Sequence, residues 1–191
     1  QKNAKNLTRT ATTILGATPR FGLNYYAPDG ILSTEWGVEE CPLVATAVSA
    51  DGSIYFDCFD RIIQIDPDGI LHTIAGNGTF GGEPTDGMQA IDIHPGFWGS
   101  IHAMVADEDG TLYISVSNLG IGKIWSITTD GVLHLVAGGG AFCGGGCVRD
   151  EGPATDALLK HDITGLAIGP EGDLYIADKH NNRVRKVTKK G

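Results

Sequence analysis

The sequence predicts an all-β protein, a β-propeller of four-stranded antiparallel blades, and three observations support this prediction. The 191 residues include 28 glycines, which suits many tight turns better than it suits a helical bundle. A segment of about sixty residues recurs, so that Tyr55, Tyr113 and Tyr175 coincide in three copies. Each copy contains short apolar runs separated by an acidic residue followed by glycine. Short strands and turns at a fixed period are typical of propeller blades.

Composition and charge narrow the range of functions. Hydrophobic residues make up 41% of the chain and charged residues 19%, which is too apolar for a disordered protein. The net charge is −9, so most of the surface repels a phosphate backbone and we expect no nucleic-acid partner. No run approaches the ~20 apolar residues that cross a bilayer, and we expect no membrane insertion in this segment.

Each repeat is expected to form four strands in a fixed order. The first is apolar at nearly every position, which predicts burial on both faces, and an acidic residue with glycine then favours the positive φ angles of a tight hairpin. The second strand carries the tyrosine. The third alternates polar and apolar residues, so one of its faces is expected to meet water. Burial is expected to fall from the first strand to the fourth. The predicted strands are 43–48, 53–58, 61–66 and 70–75, then 101–106, 111–116, 123–128 and 132–137, then 163–168, 173–178 and 183–188.

The repeats set the domain boundaries. We predict an N-terminal extension over residues 1–10 and a partial propeller over 11–191. Its repeats are expected at about 11–71, 72–133 and 134–191. Three blades cannot close a ring, since propellers use about four to eight.

The predicted outer strand Thr12–Gly16 has no blade of its own, which leaves two alternatives. The chain is a piece of a longer one, or two copies pair head to tail and each Thr12–Gly16 completes the last blade of the other.

The third repeat carries a resemblance to a known family. DEGPATDALL at 150–159 and GLAIGPEGDLYIADKHNNRVRKV at 165–187 resemble the NHL repeat in its form common in extracellular and bacterial proteins. The resemblance covers roughly residues 11–191, with decreasing fidelity toward the N-terminus. It implies a six-bladed propeller, of which three NHL-type blades, or half a ring, are present. The insertion from Cys143 to Cys147 is similar, less specifically, to teneurin-like and YD-repeat surface proteins.

The four cysteines form two pairs. Cys41 precedes the first strand and Cys58 ends the second, so a hairpin would bring them to one face and make a disulfide sterically plausible. Cys143 and Cys147 flank three glycines, a loop short enough to be closed by a bridge. Disulfides would indicate an oxidising compartment, whereas the alternatives are four free thiols or, with convergence of distant segments, one zinc site.

Two further features concern the surface. Asn6 and Asn77 begin N-x-Thr sequons, which permit glycosylation in a secreted protein, although Asn-Gly at 77–78 is also an ordinary turn. Aromatic residues occur in the long connections between outer and inner strands, where they could anchor a partner or fill the gaps between blades. These candidate interaction residues are Trp36, Phe97, Trp98 and Phe142.

The start of each inner strand is where propeller enzymes place ligands. His102 and His161 could approach one another there and bind a transition metal, with Asp162 as a carboxylate ligand. The ordinary alternative is histidines that are exposed or hydrogen-bonded. We therefore expect no cofactor and no metal, and keep His102, His161 and Asp162 as candidate ligands.

These observations favour a non-catalytic, extracellular or cell-surface propeller segment. Its expected role is protein interaction, adhesion or structural support within a larger surface protein or an extracellular assembly, with a protein partner or a second copy as its ligand. The alternative is a propeller enzyme of lyase or lactonase type with a metal in the central channel.

Overall fold

The computed structural model describes most of the chain as β-structure. The described residues are 12–15, 29–36, 41, 43–58, 61–76, 83–93, 100–118, 120–140 and 150–189. They form three antiparallel sheets joined by short 3₁₀ turns and contain no α-helix. The predicted all-β class is confirmed.

The sheets, here called blades one, two and three, follow one another along the chain. Blade one consists of β1 (Thr46–Val48), β2 (Ile54–Cys58), β3 (Arg61–Ile65) and β4 (Leu71–Ala75). Blade two follows the 3₁₀ turn Ala90–Asp92 and consists of β5 (Ser100–Ala106), β6 (Leu112–Asn118), β7 (Ile121–Ile127) and β8 (Leu133–Ala137).

Blade three is preceded by the 3₁₀ turn Ala154–Asp156 and by the two-residue strand β9 (Leu159–Lys160), which pairs with β7 of blade two. It consists of β10 (Ile163–Ile168), β11 (Leu174–Asp178), the 3₁₀ turn Lys179–Asn181 and β12 (Arg183–Val187). Strand order equals chain order in every blade.

The repeat holds at the level of single residues. The outer pair of blade one is interrupted by a bulge between Ile62 and Ile63, and that of blade two by a bulge between Ile124 and Trp125. Bulges bend and twist a strand pair locally. The shared position shows that both outer strands leave their sheet in the same way.

Five hairpin turns share one geometry, and it corrects one expectation. Asp107 Oδ1 accepts hydrogen bonds from the N–H groups of Asp109 and Thr111, at 3.0 and 2.9 Å, and the Gly110 N–H donates to the Asp107 carbonyl. Only the glycine of each acidic–glycine pair has a positive φ, such as +83° at Gly110. A type I turn closed by one left-handed glycine needs no second positive φ. The same backbone turn, with a positive φ at the glycine and its N–H donating to the carbonyl three residues earlier, occurs at Gly52, Gly69, Gly131 and Gly172.

Burial does not fall steadily from the inner strand to the outer one, contrary to expectation. In the inner region of blade one, Val44 is 61% exposed and Val48 64% exposed, whereas Ile62 and Ile63 of the third strand are almost fully buried. The middle strands of blade one are covered on one face by blade two and on the other by Trp36 and its apolar neighbours. Only β5 has described blades on both sides, and it is the most buried inner strand.

The core lies between the blades. One cluster joins blades one and two, with Tyr55 and Ile62 against Ile114 and Leu133. A second joins blades two and three, and its buried members are Ile124, Ala137, Leu159, Ile163, Leu174 and Ile176. Each fully buried Leu or Ile contributes about 1.5–3 kcal/mol, so these contacts hold the blades side by side.

The N-terminal segment differs from the predicted strand Thr12–Gly16. Its described residues, 12–15, have no strand pairing; instead Ser33 Oγ donates to the Ile14 carbonyl at 2.9 Å. Leu15 packs against the face of blade one that points away from blade two. That apolar face has no neighbouring sheet among the described residues, and Leu15 helps to cover it.

Candidate functional site

Three chain segments bring histidine and aspartate together at one end of blades two and three. His102 lies in β5 of blade two. His161 and Asp162 immediately precede β10, and His180 lies in the 3₁₀ turn between β11 and β12. Because β10 and β11 are antiparallel with Ile163 opposite Asp178, the residues just outside this pair become neighbours.

The local backbone fixes the two sides of this cluster. Asp162 has a φ of 58°, in the left-handed region that aspartate tolerates better than most residues. The buried Asp178 accepts a hydrogen bond from Asn181 Nδ2 at 2.8 Å, and the same Nδ2 donates to the Leu158 carbonyl at 3.1 Å. These bonds tie the turn that carries His180 to the segment that carries Asp162.

Asp162 is the centre of the cluster. His180 Nε2 lies 3.0 Å from its Oδ2 and His102 Nε2 lies 3.8 Å from its Oδ1. Lys179 Nζ lies 3.7 Å from Oδ2, and the rings of His161 and His180 stack with their centroids 4.1 Å apart. One carboxylate thus faces three imidazoles and one ammonium.

The surroundings favour the ionised form of this carboxyl group. The hydrogen bond with His180 lowers the pKa of Asp162 below its ordinary value. Burial raises this pKa by less than that bond lowers it, and the charges of Lys179, His161 and His102 lower it further. The carboxylate therefore carries its negative charge at neutral pH, the state in which it can bind a cation.

Sequence reasoning singled out His102, His161 and Asp162 but missed His180. The structure places the two histidines singled out from the sequence, His102 and His161, around Asp162. The missing signal was the hairpin register: a turn at Gly172 pairs Ile163 with Asp178 and so brings the residues before 163 next to those after 178.

Cys41 and Cys58 form the expected disulfide, with their Cα atoms 5.2 Å apart. It ties the segment before β1 to the end of β2, on the apolar cluster that also contains Phe56. Cys143 and Cys147 lie outside the described residues.

Trp36 is part of the core and is not available as a surface anchor. Its side chain is 6% exposed and stacks on Phe56 with ring centroids 6.4 Å apart. This corrects its assignment to an exposed interaction loop, because the indole covers the far face of blade one, where no neighbouring sheet is described. The other surface candidates, Phe97, Trp98, Phe142, Asn6 and Asn77, lie outside the described residues.

The recurring tyrosine marks a second candidate site. Tyr55 is 7% exposed in the contact between blades one and two, and Tyr113 is half-buried in the contact between blades two and three. Tyr175, at the same register on blade three, is 37% exposed, and Val184 on the same face is 75% exposed. Lys186 Nζ lies over the Tyr175 ring, 5.9 Å from its centroid, and no neighbouring sheet covers this face among the described residues.

Comparison with known proteins identifies the family. The model of the teneurin NHL domain matches residues 86–188, which is more than half of the chain. The chain belongs to the teneurin NHL domain family. The sequence resemblance to NHL-type propellers and to teneurins is therefore confirmed.

Curated relatives in this family include teneurin-m of Drosophila melanogaster, 29% identical over 146 residues, and teneurin-3 of Mus musculus, 38% identical over 100 residues. These alignments cover 74% and 47% of this chain but only 5% and 4% of the relatives. The chain thus spans a small fraction of the length of the teneurins that it matches.

A solved structure titled as a streptogramin B lyase is similar to this chain with a TM-score of 0.49 and 14% identity. The similarity covers 80% of this chain and 40% of that one. Separately, no described helix is long and apolar enough to cross a bilayer.

Proposed function

We propose that this chain is a non-catalytic, extracellular propeller segment that acts as a protein-interaction or structural scaffold within a larger surface protein or an extracellular assembly. The observation that carries the proposal is the open face of blade three, defined by Ala167, Tyr175, Ala177, Val184 and Lys186. Membership of the teneurin NHL domain family and the Cys41–Cys58 disulfide support an oxidising, extracellular setting.

The corresponding faces of the other blades support the proposal that this face is an interface. On blade one, Tyr55 and Ile62 pack against the next blade, and on blade two, Tyr113 and Ile124 do the same. A tyrosine and small apolar residues recur on blade three, where Val184 and Tyr175 face solvent. Exposed apolar faces of this kind are typical of surfaces that bind another polypeptide.

The occupant of this face is a further propeller sheet. It belongs either to a longer form of this chain or to a second copy paired head to tail. In both cases Tyr175 is buried as Tyr55 is. The glycosylation of Asn6 and Asn77 and a bridge between Cys143 and Cys147 are further parts of the proposal.

The test compares single lysine substitutions in the native protein, whatever its full length. We expect Tyr175→Lys and Val184→Lys to lower the midpoint of thermal unfolding or to dissociate an oligomer, because each places a charge in a covered apolar contact. Thr34→Lys, at an exposed turn of blade one, is the matched control and is expected to change neither. Wild-type behaviour of both face variants, measured by calorimetry and native mass spectrometry, contradicts the proposal.

The enzyme alternative requires a metal ion in the central channel. Among the described residues, the side chains that could hold such an ion are those of the cluster around Asp162. A catalytic metal keeps an open coordination position for substrate, whereas a structural metal is closed by protein ligands. The coordination number of a bound ion therefore separates the two functions.

A further inference from the structure

We propose that His102, His161, Asp162 and His180 form a closed transition-metal site, of the kind that takes Zn²⁺, which links blade two to blade three. Imidazole nitrogen and carboxylate oxygen are ligands that Zn²⁺ accepts in a tetrahedral arrangement. The inference goes beyond the scaffold function and rests on different residues, so either can fail without the other.

Three of the four ligand atoms lie within the spacing that one ion requires, and the fourth is near the same carboxylate. Ligands at 2.0–2.1 Å from a tetrahedral ion lie roughly 3.3 Å from one another. His180 Nε2 is 3.0 Å from Asp162 Oδ2, and His102 Nε2 is 3.8 Å from the other carboxylate oxygen, Oδ1. Ligand atoms of His161, Asp162 and His180 all lie within 4.8 Å of one another. His102 lies outside that group of three, and the rings of His161 and His180 stack on one another, so binding of an ion requires the His102 side chain and one of the stacked rings to turn toward Asp162.

The ligands come from three segments of two blades, and this gives the site its function. His161, Asp162 and His180 belong to blade three and are held by the bonds of Asn181. His102 projects from blade two and shares a 2.6 Å hydrogen bond with Ser117 Oγ, which the bond to the ion replaces. A bound ion therefore cross-links the two blades at the edge of their apolar contact.

Lys179 is the one described group that opposes the ion. Its Nζ lies 3.7 Å from Asp162 Oδ2, but its side chain is 56% exposed and can turn into solvent. Removing this charge is expected to strengthen binding, because the ammonium competes for the carboxylate and repels a cation. Lys179→Ala thus changes affinity in the direction opposite to loss of a ligand.

Two other histidines provide matched controls. His72 pairs with Asp66 at 2.9 Å and His134 pairs with Asp86 at 3.4 Å, both on outer strands. Each is a single His–Asp pair, and no third ligand lies near either pair among the described residues. If an isolated pair sufficed for binding, these sites would bind as well.

The experiment is a titration of the metal-free protein with Zn²⁺ by calorimetry and with Co²⁺ by visible absorption. We expect one strong site per chain and the intense visible bands of four-coordinate Co²⁺. His161→Ala, Asp162→Asn, His180→Ala and His102→Ala should each weaken binding at least about tenfold, His134→Ala should leave it unchanged, and Lys179→Ala should strengthen it.

Several outcomes overturn the proposal. They are no stoichiometric ion in the wild type, equal effects of His134→Ala and His180→Ala, an unchanged affinity in His102→Ala, or a five- or six-coordinate Co²⁺ spectrum. Circular dichroism and the unfolding midpoint of each variant without metal show whether a lost affinity reflects a lost ligand or a lost fold. A folded variant with weakened binding supports the site.

Discussion

Ser115 Oγ in β6 of blade two donates a hydrogen bond to the backbone carbonyl of Ile163, the first residue of β10 in blade three, at 3.0 Å. Both residues are almost fully buried. The same position in blade one is Asp57, whose Oδ1 accepts from the N–H groups of Val44 and Ala45 in its own blade. At equivalent positions of the second strand, Ser115 thus links blade two to blade three, whereas Asp57 holds the start of its own blade in place.

The Ser115–Ile163 hydrogen bond is expected to stabilise the contact between blades two and three. Ser115→Ala removes the donor and should lower the free energy of unfolding by about 1 kcal/mol. Ser100→Ala, at the exposed start of β5, is the control and should have little effect. Urea unfolding of the three proteins measures the difference, and equal stabilities of Ser115→Ala and wild type would show that this bond contributes nothing net.

The Cys41–Cys58 disulfide closes a loop with a sequence separation of 17 residues. Loop closure of this length restricts the unfolded chain and is worth about 3 kcal/mol in the chain-entropy treatment. Cys41→Ala/Cys58→Ala is therefore expected to lower stability by about that amount, measured in denaturant without reductant. Peptide mapping of the unreduced wild type should yield a linked pair containing both cysteines; free thiols at both positions would contradict the pairing.

The two arginines of β12 differ in burial and should differ in effect. Arg185 is 8% exposed, and its guanidinium contacts Asp150 at 2.6 Å and the fully buried Asp178 at 3.3 Å. Arg185→Met leaves Asp178 with an uncompensated buried charge and should cost about 3–5 kcal/mol.

Arg183→Met is the matched control, since Arg183 is exposed, and it should change stability by less than about 0.5 kcal/mol. Adding Asp178→Asn to Arg185→Met should recover part of the loss, because the buried charge is then gone. Equal unfolding free energies of Arg183→Met and Arg185→Met, measured from denaturation curves, would contradict this interpretation of the Arg185–Asp178 ion pair.

Asp57 is expected to make stability depend on pH. Burial raises the pKa of Asp57 above its ordinary value of 3.8, and the hydrogen bonds from Ala45 and Val44 oppose the rise only in part. Between the unfolded and folded pKa values the folded state holds more protons than the unfolded state. Stability contributed by this group is therefore highest at low pH and falls as pH rises through that window.

Asp57→Asn keeps an acceptor oxygen but no charge, so it should remove this fall. Measured from roughly pH 3 to pH 7, the unfolding free energy of Asp57→Asn should increase relative to that of the wild type as the pH rises. Asp57→Ala also removes the acceptor and should cost about 1–3 kcal/mol at low pH. A difference that moves in favour of the wild type as pH rises would show that the two N–H bonds outweigh burial.

The strand order and hairpin positions could be predicted from the sequence because they follow from local patterns. Acidic–glycine pairs fix the turns, and the apolar runs between them fix the strands, so that the predicted strand 163–168 coincides with β10. The Cys41–Cys58 pair followed from the same hairpin. The sixty-residue period also predicted that the blades would follow one another.

Burial could not be predicted in the same way, because it depends on what lies beside each sheet. Val48 and Tyr175 have side chains of core type, yet both are exposed, and no neighbouring sheet covers the face of Tyr175 among the described residues. The sequence left open whether Trp36 anchors a partner or fills a gap in the fold, because the answer depends on Phe56, which lies 20 positions away in the chain and stacks on the indole. The cluster around Asp162 combines His102 from one sheet with His180 from another, a contact that depends on how the sheets are placed.

The arrangement of the core between sheets, and not within them, determines how the molecule comes apart. Blade two is supported from both sides, whereas blades one and three are each supported by one apolar cluster of this kind and by local cover. Strands packed on both faces open later than the turns and loops around them. Backbone amides of β6 and β7 should accordingly exchange with solvent deuterium only through global unfolding, whereas those of the exposed turn at Gly87 should exchange through local openings.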